Sequence, residues 1–326
     1  MQVPLNQGVF TFSLDFELAW GTRGRRYASS VPPFLDGTRV AVAGLLKLFE
    51  KYEVSATWAI VGALLTGSDD GGKHPLLDGP AFADVPAGNA RTAPHWYAED
   101  VIESIRGCPV PQEIGCHTLS HLYVDPALTG REAFRRDLHG FRRLFDELGL
   151  AQPGSFIFPK AIMGHFDVLA ETGFRCYRGP ESKWFERLPG VLAPAAMRMV
   201  DARLALPPTV GSPSLGPEGL WVIPSSQFYS PFMSVGRYVS VAARVRKALE
   251  GLRRAAQRRQ VFHLWTHPFN LGCRTRELLA GLEQIVAEAR RLCDAGELEI
   301  CSMGAIARQL DERYAMAAPS AALAVN

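Results

Sequence analysis

Two histidines stand four residues apart in the run Glu113-Ile114-Gly115-Cys116-His117-Thr118-Leu119-Ser120-His121. Residues at this spacing share a helix face, so two imidazoles can converge on one cation. Zinc sites built on such a pair usually carry their general base between the histidines. Here Thr118, Leu119 and Ser120 offer none, so a base must come from elsewhere. The run Phe12-Ser13-Leu14-Asp15-Phe16-Glu17 supplies two carboxylates, and alternate residues of an extended segment share a face. Two histidines and one carboxylate leave a position open for water, as catalytic metal sites require. The remaining carboxylate, Asp15 or Glu17, is then free to take a proton. A third histidine, His267, follows Phe262-His263-Leu264-Trp265-Thr266, where Pro268 turns the chain. It is placed to act as a general acid toward a leaving group, whereas His263 reads as a wall residue of the strand.

Positioning these residues requires a repeated pattern of strand and helix. Val9 to Leu14, Thr57 to Gly62, Glu113 to His117, Ser155 to Phe158, Cys176 to Arg178, Val261 to Thr266 and Glu297 to Cys301 read as strands. Arg39 to Tyr52, Ala98 to Arg106, Arg131 to Leu148, Phe166 to Thr172, Val239 to Arg259 and Thr275 to Ala295 read as helices. The alternation predicts an α/β fold with a parallel sheet, open or closed into a barrel. Parallel barrels place chemistry at the C-terminal ends of their strands, where Asp15, Glu17, His117, Lys160 and His267 all fall. Two stretches rich in Gly and Pro, 66–94 and 193–217, read as insertions near the mouth. One domain over 1–314 is expected, with a disordered tail over 315–326.

Composition narrows the class. The chain has 326 residues, 47% hydrophobic and 21% charged, with a net charge of +2, so nothing global points to nucleic acid. No apolar run is long enough to span a membrane, and the first residues show no signal-peptide pattern. Six scattered cysteines read as free thiols in a reducing compartment. A cytoplasmic protein is the expectation.

The runs Ser13-Leu14-Asp15-Phe16-Glu17, His117-Thr118-Leu119-Ser120-His121, Ser155-Phe156-Ile157-Phe158-Pro159 and His267-Pro268, in this order, resemble the polysaccharide deacetylase family with its NodB-homology domain, carbohydrate esterase family four. The resemblance runs from about Val9 to Ala307. It is nearest to cytoplasmic members associated with surface-polysaccharide biosynthesis, through Asp15-Phe16-Glu17-Leu18-Ala19-Trp20-Gly21. It implies a distorted (β/α)-barrel, usually seven-stranded, and metal-dependent removal of an N- or O-acyl group from a sugar. It further implies Asp15 as general base, Glu17, His117 and His121 as ligands of a divalent metal, with zinc expected, and His267 as acid. The family places an arginine after the Phe156–Phe158 strand to pair with the base; this chain has Lys160, with Arg178 as a spare candidate. A backbone N–H near Ala161 is implied as oxyanion donor.

The function expected is removal of an N-acetyl group from a sugar or glycan intermediate. One alternative is a metal-dependent amidohydrolase acting on a non-sugar amide or imide. Another, motivated by Lys160 and the Asp-x-Glu form, is a non-catalytic glycan- or partner-binding protein. Among the tryptophans Trp20, Trp58, Trp96, Trp184 and Trp221, Trp96 beside the first insertion is the best sugar platform, and Trp58 reads as core. Cys116 reads as a core thiol. The basic helix with Arg244, Arg246, Lys247, Arg253, Arg254, Arg258 and Arg259 reads as a solvated outer face. Its sharper reading is contact with anionic lipid or a substrate diphosphate, which a nucleotide- or lipid-linked sugar would carry.

Overall fold

A computed structural model describes residues 3–24, 31–183, 185 and 194–317. Trp184, residue 193 of the second insertion and residues 318–326 of the expected tail lie outside the described residues. Strand and helix alternate as β1 (Gly8–Phe16), α1 (Pro32–Asp36), α2 (Thr38–Lys51), β2 (Thr57–Ile60), α3 (Glu99–Arg106), β3 (Glu113–Cys116), α4 (Arg131–Glu147), β4 (Ser155–Phe156), α5 (Phe166–Glu171), β5 (Cys176–Glu181), α6 (Pro194–Leu204), β6 (Ser214–Leu215), β7 (Trp221–Ser225), β8 (Gln227–Phe228), α7 (Val241–Arg258), β9 (Val261–Thr266), α8 (Thr275–Asp294), β10 (Leu298–Ile300) and α9 (Met303–Ala317). The strands form one sheet in the order β6-β7-β5-β4-β3-β2-β1-β9-β8, with β10 also paired to β1. All pairings are parallel except β6 with β7.

The sheet therefore has ten described strands rather than seven. The three beyond the seven expected are β6, β7 and β8, and β10 is the expected last strand. One long strand, β7, is not legible in the sequence. It follows a Pro- and Gly-rich stretch and contains Pro224, whose missing N–H argues against a strand.

The sheet's two faces divide the labour. On β1, Phe10, Phe12, Leu14 and Phe16 point one way, into a large core with α2, α7 and α8. The helices meet it with stripes at helical spacing, such as Leu278, Leu282, Ile285, Ala289 and Leu292 of α8. The alternate residues face the concave side. Near the strand starts that side is apolar: Val9, Ala59, Cys176, Ile223 and Val261 pack on Met303, Ile306 and Leu310 of α9. Near the strand ends it turns polar, with Ser13, Asp15, Arg178 and His263 all buried. The first insertion folds back onto the body through buried Leu77 and Val85.

The basic helix α7 is not solvated throughout. Arg244 and Lys247 are 3% and 9% exposed. Arg244 donates to the carbonyls of Ser230, Pro231, Gly236 and Val239, tying the preceding loop to the helix. Lys247 pairs with Asp201 of α6. All six cysteines are free. Among the described residues no helix is long and apolar enough to cross a membrane.

Candidate metal centre

β1 delivers Asp15 within its last turn of pleat and Glu17 just beyond, at the start of a short 3₁₀ turn, Leu18–Thr22. Gly21 in that turn is required by close approach: a Cβ there would lie 1.9 Å from Glu17 Oε1. β3 ends at Cys116, so His117 opens the next loop, beside the end of β2.

The histidines do not share a helix. His117 to Leu122 form a turn in which Thr118 and His121 take left-handed backbone angles, φ 65° and 60°. The turn is held at several points. Gly62 and Ala63 donate to the carbonyls of Thr118 and Leu119. Asp137 of α4 accepts from the Leu119 and Ser120 amides (2.7 and 3.2 Å) and from the Ser120 hydroxyl (2.5 Å). The result brings the two rings to 5.1 Å between centroids.

One ligand atom from each of Glu17, His117 and His121, all buried, lies within 4.8 Å of the other two. His117 Nδ1 faces the Ile157 carbonyl at 2.7 Å. A carbonyl only accepts, so Nδ1 carries the proton in neutral His117 and Nε2 presents a lone pair. That lone pair faces Glu17 Oε2 at 3.3 Å. Two acceptors facing each other in a buried pocket is the arrangement a cation between them resolves. His121 Nε2 lies 2.8 Å from the same oxygen. The donor set fits a divalent metal, including zinc, and the Ile157 carbonyl fixes the imidazole tautomer as outer partners of metal ligands do.

Asp15 sits beside this set with its charge assured. Burial pushes its pKa upward, but Arg178, His267 and His117 outweigh that and hold it below the usual carboxylate range. Arg178 of β5 forks the carboxylate at 2.6 and 2.7 Å. Its Nη1 also reaches Ser13 Oγ (3.1 Å), which contacts His263 Nε2 at 2.7 Å. Burial first, then Arg178, drives the His263 pKa down to about 3, so His263 is a neutral wall residue. Glu17 is likewise held well below its usual value: burial opposes the charge, and His267, His121 and His117 favour it. His267 Nε2 stands 3.5 Å from Glu17 Oε1 and 3.8 Å from Asp15 Oδ2. Asn270 Nδ2 lies 3.2 Å from His267 Nδ1. An amide N–H there leaves the proton of neutral His267 on Nε2, the nitrogen aimed at the site.

Three expected positions differ. Lys160 lines the cleft but does not pair with Asp15; its side chain is exposed and its ammonium lies 4.4 Å from the Tyr123 ring centroid. The Ala161 N–H is committed to the Phe158 carbonyl at 3.0 Å, so it is not a free oxyanion donor. Trp96 packs edge-on against Trp20, outside the cleft. Among the described residues the tryptophan lining the cleft is Trp265, tilted against Phe228 (centroids 4.4 Å) and 4.3 Å from the Arg178 guanidinium. It and Asn270 escaped the sequence reading. For Trp265 the signal was there: it alternates with His263 and His267 on one strand face.

Two cavities flank the centre. A cleft of 690 Å³ runs past Asp15, Glu17, Arg178, Trp265 and His267. A groove of 970 Å³ leads from His121 between the first insertion and α4.

No protein-family model and no curated protein matches the chain. Solved structures do match. One, assigned as a polysaccharide deacetylase from Mycobacterium smegmatis, aligns over 96% of this chain and 94% of its own, with TM-score 0.63 and 16% identity. Another, assigned as a polysaccharide deacetylase from Pseudomonas aeruginosa PAO1, covers 93% and 91%, with TM-score 0.60 and 15% identity. The Puue allantoinase covers 92% and 88%, with TM-score 0.58 and 15% identity. The chain thus has the fold of polysaccharide deacetylase structures, and that fold also carries an allantoinase.

Proposed function

We propose that this protein is a metal-dependent hydrolase that removes the N-acetyl group from a sugar or glycan intermediate. The observation that carries the reading is an ionised, Arg178-forked Asp15 beside a buried Glu17-His117-His121 set, with His267 across from both. Polysaccharide deacetylase structures of the same fold support the substrate class. Six unpaired cysteines support work in a reducing compartment such as the cytoplasm.

Glu17, His117 and His121 would hold the divalent ion, which supplies Lewis acidity to polarise the acyl carbonyl and acidify water. Asp15, kept as a carboxylate, takes the proton of the attacking water. Arg178 holds both Asp15 oxygens, so the carboxylate cannot rotate away. His267, entering the step as the imidazolium, gives its Nε2 proton to the departing amine, and the proton taken up by Asp15 restores it. Asn270, beside Nδ1, holds the ring in place for that transfer. Trp265 and Phe228 give the cleft an aromatic wall on which a sugar ring can lie.

The allantoinase of the same fold favours a second reading, hydrolysis of a non-sugar amide or imide. The Arg178 fork weakens the case for a non-catalytic binding protein, since the base lacks no partner. Metal analysis of the purified protein, with acetate release measured on N-acetylated sugars and on non-sugar amides, tests all three. The expectation is bound metal, acetate from the sugars, and loss of both in Glu17→Ala and His117→Ala. A metal-free protein whose variants behave like the parent would sink the enzyme readings, and turnover of the non-sugar amides alone would select the second.

A further inference from the structure

We propose that the base of the barrel carries a second binding site, for an oxyanion of the phosphate class, separate from the catalytic cleft. A cavity of 350 Å³ opens there, and its lining includes Arg142 of α4, Arg175 just before β5 and Arg308 of α9. Glu113, which opens β3, and Gly154, which precedes β4, line it too. These are strand starts, whereas Glu17, His117 and His267 lie beyond strand ends. In a parallel sheet the two sets occupy opposite ends.

The charges are unevenly answered. Arg175 pairs with Asp311 at 2.8 Å. The Glu113 carboxylate is consumed inward, by the hydroxyls of Thr57 (2.7 Å) and Ser155 (2.5 Å) and the Gly304 N–H (2.9 Å). Arg308 is exposed and has no acidic partner among the described residues.

Arg142 is the most informative. Its guanidinium lies 4.3 Å from the Phe174 ring centroid, and Nη1 donates to Gln152 Oε1 at 3.0 Å. Nε and Nη2 are buried, and neither has a hydrogen-bond partner among the described residues. Nε and Nη2 form the edge of a guanidinium that grips an oxyanion with two parallel bonds. Leaving two donors of a cation dry and unused is costly, and a ligand oxygen recovers that cost. Gly173 borders this edge without a side chain, its notional Cβ 3.6 Å from Nη2. Gly173 lines the same cavity, so this edge lies at its wall. Three guanidinium groups around one polar cavity, one edge and one cation among them without a partner among the described residues, fit a phosphate better than a neutral ligand.

This site is independent of the deacetylase reading. The test titrates the intact protein with inorganic phosphate by calorimetry, holding ionic strength constant with chloride, and repeats it in His117→Ala. Saturable single-site binding is expected, retained in His117→Ala and weakened about tenfold or more by Arg308→Gln and by Arg142→Gln. Should Arg142→Gln fail to fold, Arg308→Gln and Arg308→Glu carry the test. Sedimentation with phosphatidylglycerol vesicles, but not phosphatidylcholine vesicles, lost in Arg308→Gln, would identify a lipid headgroup as the source of the phosphate. Binding of phosphate without sedimentation would identify a free phosphate ligand. No saturable binding of either probe, binding indifferent to Arg308→Gln, or binding abolished by His117→Ala would overturn the proposal.

Discussion

Asp15 is buried, and burial alone would drive it toward the neutral acid, which accepts no proton. Its usefulness rests on Arg178, and the fork matters as much as the charge. A lysine at 178 keeps the charge but cannot hold both oxygens. Arg178→Lys is therefore expected to lower kcat and move the acid limb of the pH–rate profile upward, because Asp15 loses part of what depresses its pKa. Asp15→Asn removes the base and is expected to lower turnover by about 10²–10⁴-fold with the metal retained. A steady-state pH series on both variants checks this, and an unmoved acid limb in Arg178→Lys would contradict it. The residue types for this chemistry were plain in the sequence; the pairing was not. Lys160 occupied the expected position after a strand, while the true partner lies 163 residues from Asp15 on another strand. Reach decided it: Arg178 forks the Asp15 carboxylate, while the Lys160 ammonium is spent on the Tyr123 ring.

The turn from His117 to Leu122 shows a similar limit one level up. The spacing suggested a helix face, yet convergence is produced by two left-handed residues, one of them the β-branched Thr118. Such angles cost roughly 1–3 kcal/mol each and persist only where the surroundings enforce them. Residue type gives no warning of them, because the enforcement comes from Gly62, Ala63 and Asp137, all distant in sequence. Burial lifts the Asp137 pKa to about 6 against the opposing bonds from Ser120 and Leu119. A pKa raised on folding contributes stability that is fully present below the unfolded value, 3.8, and is lost as pH rises through about 6. The wild type is thus expected to lose on the order of 3 kcal/mol between those limits that Asp137→Asn does not lose. Thermal unfolding of both proteins from pH 4 to pH 8 measures it; parallel curves would exclude Asp137 as the cause.

At the scale of the molecule, the alternation of strand and helix made the parallel sheet legible. What stayed hidden were short edge pieces and β7, because they depend on neighbours rather than on their own pattern. The proposed metal ligands join β1 to the loop after β3, so occupancy should brace the whole sheet. Chelation is expected to lower the melting temperature, since a ligand present at a hundredfold excess over its Kd contributes about 2.7 kcal/mol. Differential scanning calorimetry with and without chelator checks this, and the same drop in Glu17→Ala would show that the metal acts elsewhere. The position of β1 has a consequence for synthesis. It lies between β2 and β9, the first made almost at once and the second only when most of the chain exists. During translation the central strand, nearly all apolar on one side, waits with one edge bare. Bare apolar edges recruit other strands, and closure over so long a loop is slow. Expression yield should therefore be limited by what happens on and just off the ribosome, and cooling or a chaperone that covers the N-terminal third should raise it more than any stabilisation of the finished fold.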